Sequence, residues 1–462
     1  MSNKSAEAKK IFIGGDVSKG YCDFVALDQK HNILEDVFQL DDTNIGHKKL
    51  NKILFSISKK YEKARIVIGF ESTGGYENRW IESVSKKSGE LDLKVARLNP
   101  IVIHASDRTT LQKNKTDKIS AISIAKYLAR FEDAIDFSRK DEWYNLRQQW
   151  KYISLLTKQN VQQQNYLEKL LYAYNPSLIQ YCNDKTPAWL LSVLEKYPTT
   201  TKLKNSKTTA LCKIPYVTIE KAKKLKQEAK DNPGLPSKNI DKIIIEIIKQ
   251  LKNTEKVKKD LFRILRNTVD ENDLKILNSF IGIKDNSAVG LLVEIGDIVR
   301  FESAKKLVSF FAVHPVYRQS GDGIYGMHMS RDGRSQPKRI LYMVTLSAIQ
   351  HNKDIKLYYL KKQLQGKEKM VAFGACMNKI VRIIWAMLTY GTAFEAQSDD
   401  TEIERIEAQL KTHKQKILDQ FNKERRKKRI YQEYDSNSPV SRRENKKRKE
   451  YSVYIKEETQ NS

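Results

Sequence analysis

Residues 11–28, IFIGGDVSKGYCDFVALD, decide the fold. Two short apolar, β-branched runs (11–17 and 21–28) are separated by a polar Ser-Lys-Gly break, and a third run, NILEDVFQL (32–40), follows after another polar gap. Such spacing predicts an antiparallel meander. Beyond it, a helix-like pattern around 46–61 leads to RIVIGFE (65–71) and LKVARLN (93–99), two buried-strand candidates. After a loop rich in Thr, Asn and Lys, residues 119–131 place apolar side chains at helical spacing. A three-strand meander followed by alternating helices and strands predicts an α/β domain over residues 1–140.

Three acids stand at the ends of these elements. Asp16 lies at or just beyond the end of the first strand, Glu71 directly follows RIVIGF, and Asp117 opens the helix at 119–131, with Thr116 before it as a capping residue. Acids so placed can converge at one end of a sheet and hold a divalent cation through oxygen ligands. Singly, each also reads as a cap, a turn residue or a solvated group. Gly14-Gly15 before Asp16 and Gly74-Gly75 after Glu71 allow close backbone approach or unusual dihedrals beside these acids, or serve two ordinary turns.

Further along, 143–174 and 239–265 repeat apolar residues every three or four positions over lengths beyond the usual globular helix. A coiled-coil arm and a helical bundle are both consistent with residues 141–270. Residues 271–395 read as a mostly helical domain interrupted by a glycine-rich stretch, and 396–462 as a basic tail that is helical at first and then disordered. Near the start of the third region, Ile281-Gly282-Ile283 before an apolar helix has the form of a helix-hairpin-helix. Lys284 stands where a second glycine is usual, leaving packing and DNA contact as equal readings.

The whole chain of 462 residues carries 84 Lys and Arg against 56 Asp and Glu, a net +28. That excess calls for a polyanionic partner, nucleic acid before an anionic membrane. No run of about 18 apolar residues offers a membrane span, and the N-terminus MSNKSAEAKK lacks a signal-peptide core. Cys22, Cys182, Cys212 and Cys376 are scattered without a CxxC pair, so the expectation is a reduced, cytoplasmic protein.

One segment combines a serine with cations. In HPVYRQSGDGIYGMHMSRDGRSQPKRILY (314–342), Ser320 precedes Gly-Asp-Gly and is expected in an accessible turn. Arg318, Arg331, Arg334, Lys338 and Arg339 are suited to phosphate contacts, with His314 and His328 nearby. Ser320 is either a nucleophile needing activation or a polar turn residue.

The ordered set GGDVSKGYCDFVALD (14–28), GFESTGGY (69–76), NKTDKISAISIAKY (114–127), WLLSVLEKYPTT (189–200), LLVEIGDIVRFESAKKLVSFFAVHPVYRQSGDG (291–323) and LYMVTLSAIQHN (341–352) resembles the insertion-sequence transposases of the DEDD class. These are bridge-RNA-guided recombinases related to Piv-type DNA invertases. The resemblance spans about residues 11–390 and implies a ribonuclease H-like, RuvC-like N-terminal domain, a helical coiled-coil middle segment, and a mostly helical C-terminal transposase domain carrying a catalytic serine. By motif, Asp16, Glu71 and Asp117 match the first three metal-binding acids and Ser320 the nucleophile. A fourth acid belongs three residues after the third, where this chain has Ser120, which offers a neutral oxygen on the same helix face.

The resemblance further implies Mg²⁺ or Mn²⁺ as cofactor, donor and target DNA as substrates, a structured non-coding bridge RNA, a homodimer or homotetramer, and a bacterial, nucleoid-associated location. With about 200 residues between the acids and Ser320, the site is expected to be composite, built in cis or in trans. Two rivals are a metal-dependent junction-resolving nuclease and a non-catalytic nucleic-acid-binding protein derived from a decayed transposase.

Overall fold

The computed structural model describes residues 10–61, 64–109, 116–135, 137, 143–182, 186–236, 239–320 and 323–421. The chain divides into two compact units, Met1–Glu142 and Trp143–Ser462. Thus the long middle helices share one unit with the region after residue 270.

The first unit contains β1 (Lys10–Ser18), β2 (Tyr21–Asp28), β3 (Ile33–Asp41), α1 (Asn44–Lys60), β4 (Arg65–Glu71), α2 (Glu77–Ser85), β5 (Leu93–Leu98), α3 (Pro100–Thr109) and α4 (Asp117–Phe131). Its sheet has the order β3-β2-β1-β4-β5. Strands β1, β2 and β3 pair antiparallel, and β4 and β5 join β1 in parallel. The period of two sorts each central strand onto two cores. Ile11, Ile13, Phe24, Ile68 and Phe70 pack with Leu50, Leu54 and Trp80 of α1 and α2. Phe12, Val67 and Ala96 face Ile124 and Leu128 of α4 on the opposite side, with Val25 and Leu27 meeting Ala121 and Ala125.

Gly14 sets how close α4 comes. A Cβ there would lie 2.1 Å from the Ala121 carbonyl oxygen and 2.6 Å from the Ala125 amide. The helix backbone therefore rests directly on β1, and any side chain at this point would lift it away.

The second unit holds α5 (Tyr144–Tyr174), α6 (Ala188–Lys196), α7 (Thr200–Lys204), α8 (Thr208–Cys212), α9 (Ile219–Asp231), α10 (Ile240–Thr268), α11 (Glu271–Ser279), α12 (Asp285–Ile295), α13 (Ala304–Phe310), β6 (Pro315–Ser320), β7 (Gly323–Met329), α14 (Ser335–His351), α15 (Lys353–Leu364), α16 (Lys369–Tyr390) and α17 (Asp400–Phe421). Helices α5 and α10 run antiparallel: Asn160 hydrogen-bonds Glu255 at 3.3 Å and Gln163 reaches Gln250 at 2.8 Å. The pair joins two hydrophobic cores. At one end Leu167, Leu171, Ile244 and Ile248 pack with the short helices α6–α9, and at the other Trp150, Ile153 and Leu265 enter the core built by α11–α16. These two long helices thus form an antiparallel pair whose ends pack into two separate cores.

Helix α16 is long and apolar enough to cross a membrane by length and composition. Its Phe373, Cys376, Ile380, Val381 and Ile384 are instead buried in the core of this unit. The basic stretches at 424–429 and 441–450 lie outside the described residues.

Candidate functional site

Asp16 sits inside β1, not beyond its end, because the strand runs on to Ser18 in pairing with β2. By strand alternation Asp16 shares the α4 face with Phe12 and Gly14, and Glu71 shares it with Val67 and Gly69. Parallel register sets Gly15 opposite Phe70, so Asp16 and Glu71 follow side by side at the ends of β1 and β4. Helix α4 starts above them. Thr116 caps it, its hydroxyl accepting from the Ile119 amide at 3.3 Å. This start carries Asp117 and, three residues on, Ser120.

The electrostatics bind the group together. Burial pushes the Asp16 carboxyl up from 3.8 to about 6, the charges of Glu71 and Asp117 add to the rise, and a hydrogen bond from Ser120 opposes it. The structure therefore brings the four motif residues to one place, with Ser120 hydrogen-bonded to a carboxylate rather than adding one.

Two further residues on β2 belong to this face and were not singled out from sequence. Asp23 stands directly opposite Asp16, 7% exposed, with its carboxylate accepting from Gln39 Nε2 at 3.2 Å. Burial raises its pKa, and Asp117 contributes in the same direction. Tyr21 donates its hydroxyl to Asp117 at 3.2 Å. The signal was available: residues 21 and 23 alternate with buried Cys22 and Phe24 on a strand that must pair with the one carrying Asp16.

Glu77 is a third such residue. It is 1% exposed and accepts from the Ser72 hydroxyl at 3.1 Å, the Thr73 amide at 3.2 Å and the Gly75 amide at 2.9 Å. These bonds fix the loop that follows Glu71, in which Gly74 and Gly75 take φ of 79° and 115°. Here the paired glycines do supply the unusual dihedrals.

Do these groups suit a divalent cation? The donors are all oxygen, three carboxylates and a hydroxyl, as a hard cation requires, and Asp16 is raised first by burial and then by the neighbouring charges of Glu71 and Asp117. Among the described residues no three His, Cys, Asp or Glu side chains are spaced to chelate one ion. The acids are neighbours without forming a closed coordination shell.

In the second unit the glycine-rich segment pairs as a β-hairpin of β6 and β7. Ser320 closes β6 opposite Gly323 at one end, and Pro315 faces Met329 at the other. Arg318 pairs with Tyr325 in the same ladder. The side chains of 318–327 and the whole of Gly321-Asp322 lie outside the described residues. Arg331, Arg334, Lys338 and Arg339 follow the far end of the hairpin, roughly 16 Å from Ser320 at 3.3 Å per residue. Closeness in sequence does not become closeness in space here.

Two of those cations are engaged internally. Arg334 pairs with Glu294 at 2.9 Å, a carboxylate 5% exposed, and lies over the Phe310 ring. Lys338 donates to the buried Ser330 carbonyl at 2.7 Å, and burial lowers its pKa. Arg331 and Arg339 are exposed. His314 accepts from the Ser330 amide through its carbonyl, and His328 is exposed on β7.

Residues 13–176 match a family model described as a transposase, the DEDD domain of the IS110 type, and residues 274–360 match the model of the transposase IS116/IS110/IS902 family. The chain belongs to the IS110/IS116 family of transposases. It is 23% identical over 405 residues to the 44.8 kDa protein of insertion element IS116 from Streptomyces clavuligerus, covering 83% of this chain and 96% of that one. A shorter match, 29% over 122 residues, links it to the 43.6 kDa protein of insertion element IS110 from Streptomyces coelicolor, covering 26% of this chain and 30% of the relative. Residues 13–142 of the transposase's first unit and its hairpin segment fall within the two matched stretches, whereas residues 177–273 fall between them.

Proposed function

We propose that this transposase cleaves and rejoins DNA at the ends of an insertion sequence through a covalent phosphoserine, with Asp16, Glu71 and Asp117 as ligands for Mg²⁺ or Mn²⁺. The observation that carries the reading is the convergence of Asp16 and Glu71, side by side on β1 and β4, with Asp117 at the start of α4, where burial and the two neighbouring charges raise the Asp16 carboxyl. Acids crowded in this way relieve their repulsion by binding a cation. The sheet order β3-β2-β1-β4-β5 supports a ribonuclease H-like, RuvC-like first unit. A bound divalent cation there supplies charge neutralisation at a phosphodiester.

In the proposed step Ser320 Oγ bonds to phosphorus, one phosphorus–oxygen bond to deoxyribose breaks, and the departing oxygen takes up a proton while serine gives one up. Rejoining is the reverse with a new strand's hydroxyl. Asp16, Glu71 and Asp117 orient the phosphate-binding charge. Tyr21 holds Asp117, and Glu77 keeps the loop after Glu71 in place.

Sequence choice is assigned to a structured bridge RNA, which leaves the protein mainly backbone contacts to make and agrees with its net +28. A homodimer or homotetramer in the cytoplasm, associated with the nucleoid, completes the reading. Ser320→Ala is expected to abolish both recombination and covalent protein–DNA adducts; adducts that persist in the variant reject Ser320 as nucleophile. Free DNA ends without attached protein would point instead to the junction-resolving nuclease. Sequencing RNA that copurifies with the protein tests the guide.

A second reading, a non-catalytic nucleic-acid-binding protein, is favoured by Ser120 in place of a carboxylate and by the open spacing of the acids. It predicts binding without cleavage in Mg²⁺ or Mn²⁺, not rescued by Ser120→Asp.

A further inference from the structure

Two stretches of the second unit share one pattern. Residues 211–225, LCKIPYVTIEKAKKL, and 277–291, LNSFIGIKDNSAVGL, align without gaps at a displacement of 66 residues. Their matched apolar positions are buried alike: Leu211, Ile214, Val217, Ala222 and Leu225 in the first, Leu277, Phe280, Ile283, Ala288 and Leu291 in the second. The backbone bonds coincide as well. Ile214 and Phe280 amides donate to Leu211 and Leu277 carbonyls, Val217 and Ile283 to Ile214 and Phe280, and Ala222 and Ala288 to Thr218 and Lys284. At the hairpin tip Tyr216 has φ 65° and Gly282 has φ 118°. The earlier stretch is thus a second helix-hairpin-helix, joining α8 to α9, with tyrosine at the position that favours glycine.

The two differ in what covers them. The later hairpin packs on α14, where a Cβ at Gly282 would lie 3.0 Å from Ala348, and Asn352 donates to the Ile281 carbonyl. The earlier hairpin presents Tyr216 at 84% exposure and Ile219 at 61%. Lys221 donates to the Tyr216 carbonyl at 3.3 Å, and Lys213, Lys223 and Lys224 are exposed on the segments either side of the turn, with Glu220 exposed among them and Lys224 at 67% while reaching Glu228 at 3.9 Å. An exposed aromatic at the tip of a turn, flanked in sequence by more exposed lysines than acids, complements a polyanionic backbone.

We infer that this surface, formed by Lys213, Tyr216, Ile219, Lys223 and Lys224, docks the phosphate backbone of duplex DNA without regard to sequence. It rests on the nucleic-acid reading above but not on Ser320 or the acids.

The test uses the full chain and a 20-base-pair DNA duplex of arbitrary sequence, followed by fluorescence anisotropy across a salt series. Lys213→Glu/Lys223→Glu/Lys224→Glu is expected to weaken binding about tenfold or more and to reduce the salt slope by about 2 to 3. Lys249→Glu/Lys256→Glu/Lys259→Glu, the same charge change on exposed positions of α10, is expected to cost much less. Tyr216→Gly, which suits the left-handed backbone, keeps the fold and is expected to weaken binding about threefold. Equal losses in the two triple variants, unchanged affinity in a folded hairpin variant, or loss confined to a structured RNA would overturn the inference. If the hairpin variants bind normally while Ser320→Ala still removes DNA adducts, this docking surface fails and the recombinase reading stands.

Discussion

Asp16 has a folded-state pKa of about 6 against 3.8 for the free side chain, so the folded protein binds more protons than the unfolded chain between those values. Without metal, stability therefore falls as pH rises through about 4 to 6 and stays lowered above that window. Discounted for its partial exposure, the penalty is about 1–2 kcal/mol. Asp16→Asn is expected to raise the metal-free melting temperature at pH 7.5 by a few degrees and to flatten this pH dependence. The same variant should abolish strand cleavage while leaving nucleic-acid binding near the original level. A variant that unfolds or loses binding would make Asp16 a folding residue. Ser120→Asp adds a carboxylate beside Asp16 and is expected to lower metal-free stability and tighten Mn²⁺ binding, which titration calorimetry reads directly.

Packing of α4 on β1 controls where those residues meet. Gly14→Ala would push a methyl group against the Ala121 carbonyl, a contact of 2.1 Å with backbone that cannot move aside cheaply. About 2–3 kcal/mol of destabilisation is expected in urea melts of the protein. Metal binding should weaken with it, because displacing α4 moves Asp117 and Ser120 together away from Asp16 and Glu71. The hairpin of β6 and β7 shows the opposite relation between sequence and space. Glycine punctuation pointed to a turn at Ser320, and the alternation in VYRQS and IYGMHM beside it carries a strand signal that pairing with a neighbour completes. Once the hairpin forms, the basic residues that follow it are carried away from Ser320.

Across the whole molecule the charge excess is spread rather than concentrated at one end. Residues 422–462 hold 13 Lys and Arg against 7 Asp and Glu, a net +6 of the chain's +28. Deleting them is expected to lower non-specific DNA affinity and reduce the salt slope, while most binding at 0.1 M salt persists. Near-complete loss in a salt titration would instead assign the polyanion site to that segment.

Strand runs, helix periodicity and the placement of Asp16, Glu71 and Asp117 could all be read in sequence, because local propensity and a period of two or 3.6 act over neighbouring residues. The motif order that matched an insertion-sequence transposase was legible for the same reason, since it is a linear pattern. What tertiary structure alone decided was register and burial. It set Asp23 beside Asp16, turned Tyr21 onto Asp117, committed Glu77 to the loop after Glu71, and tied Arg334 and Lys338 to partners inside the fold. Each of these depends on residues brought together across a sheet or between helices, where side chains must find partners once water is excluded. No local pattern in a single sequence encodes which partner that will be.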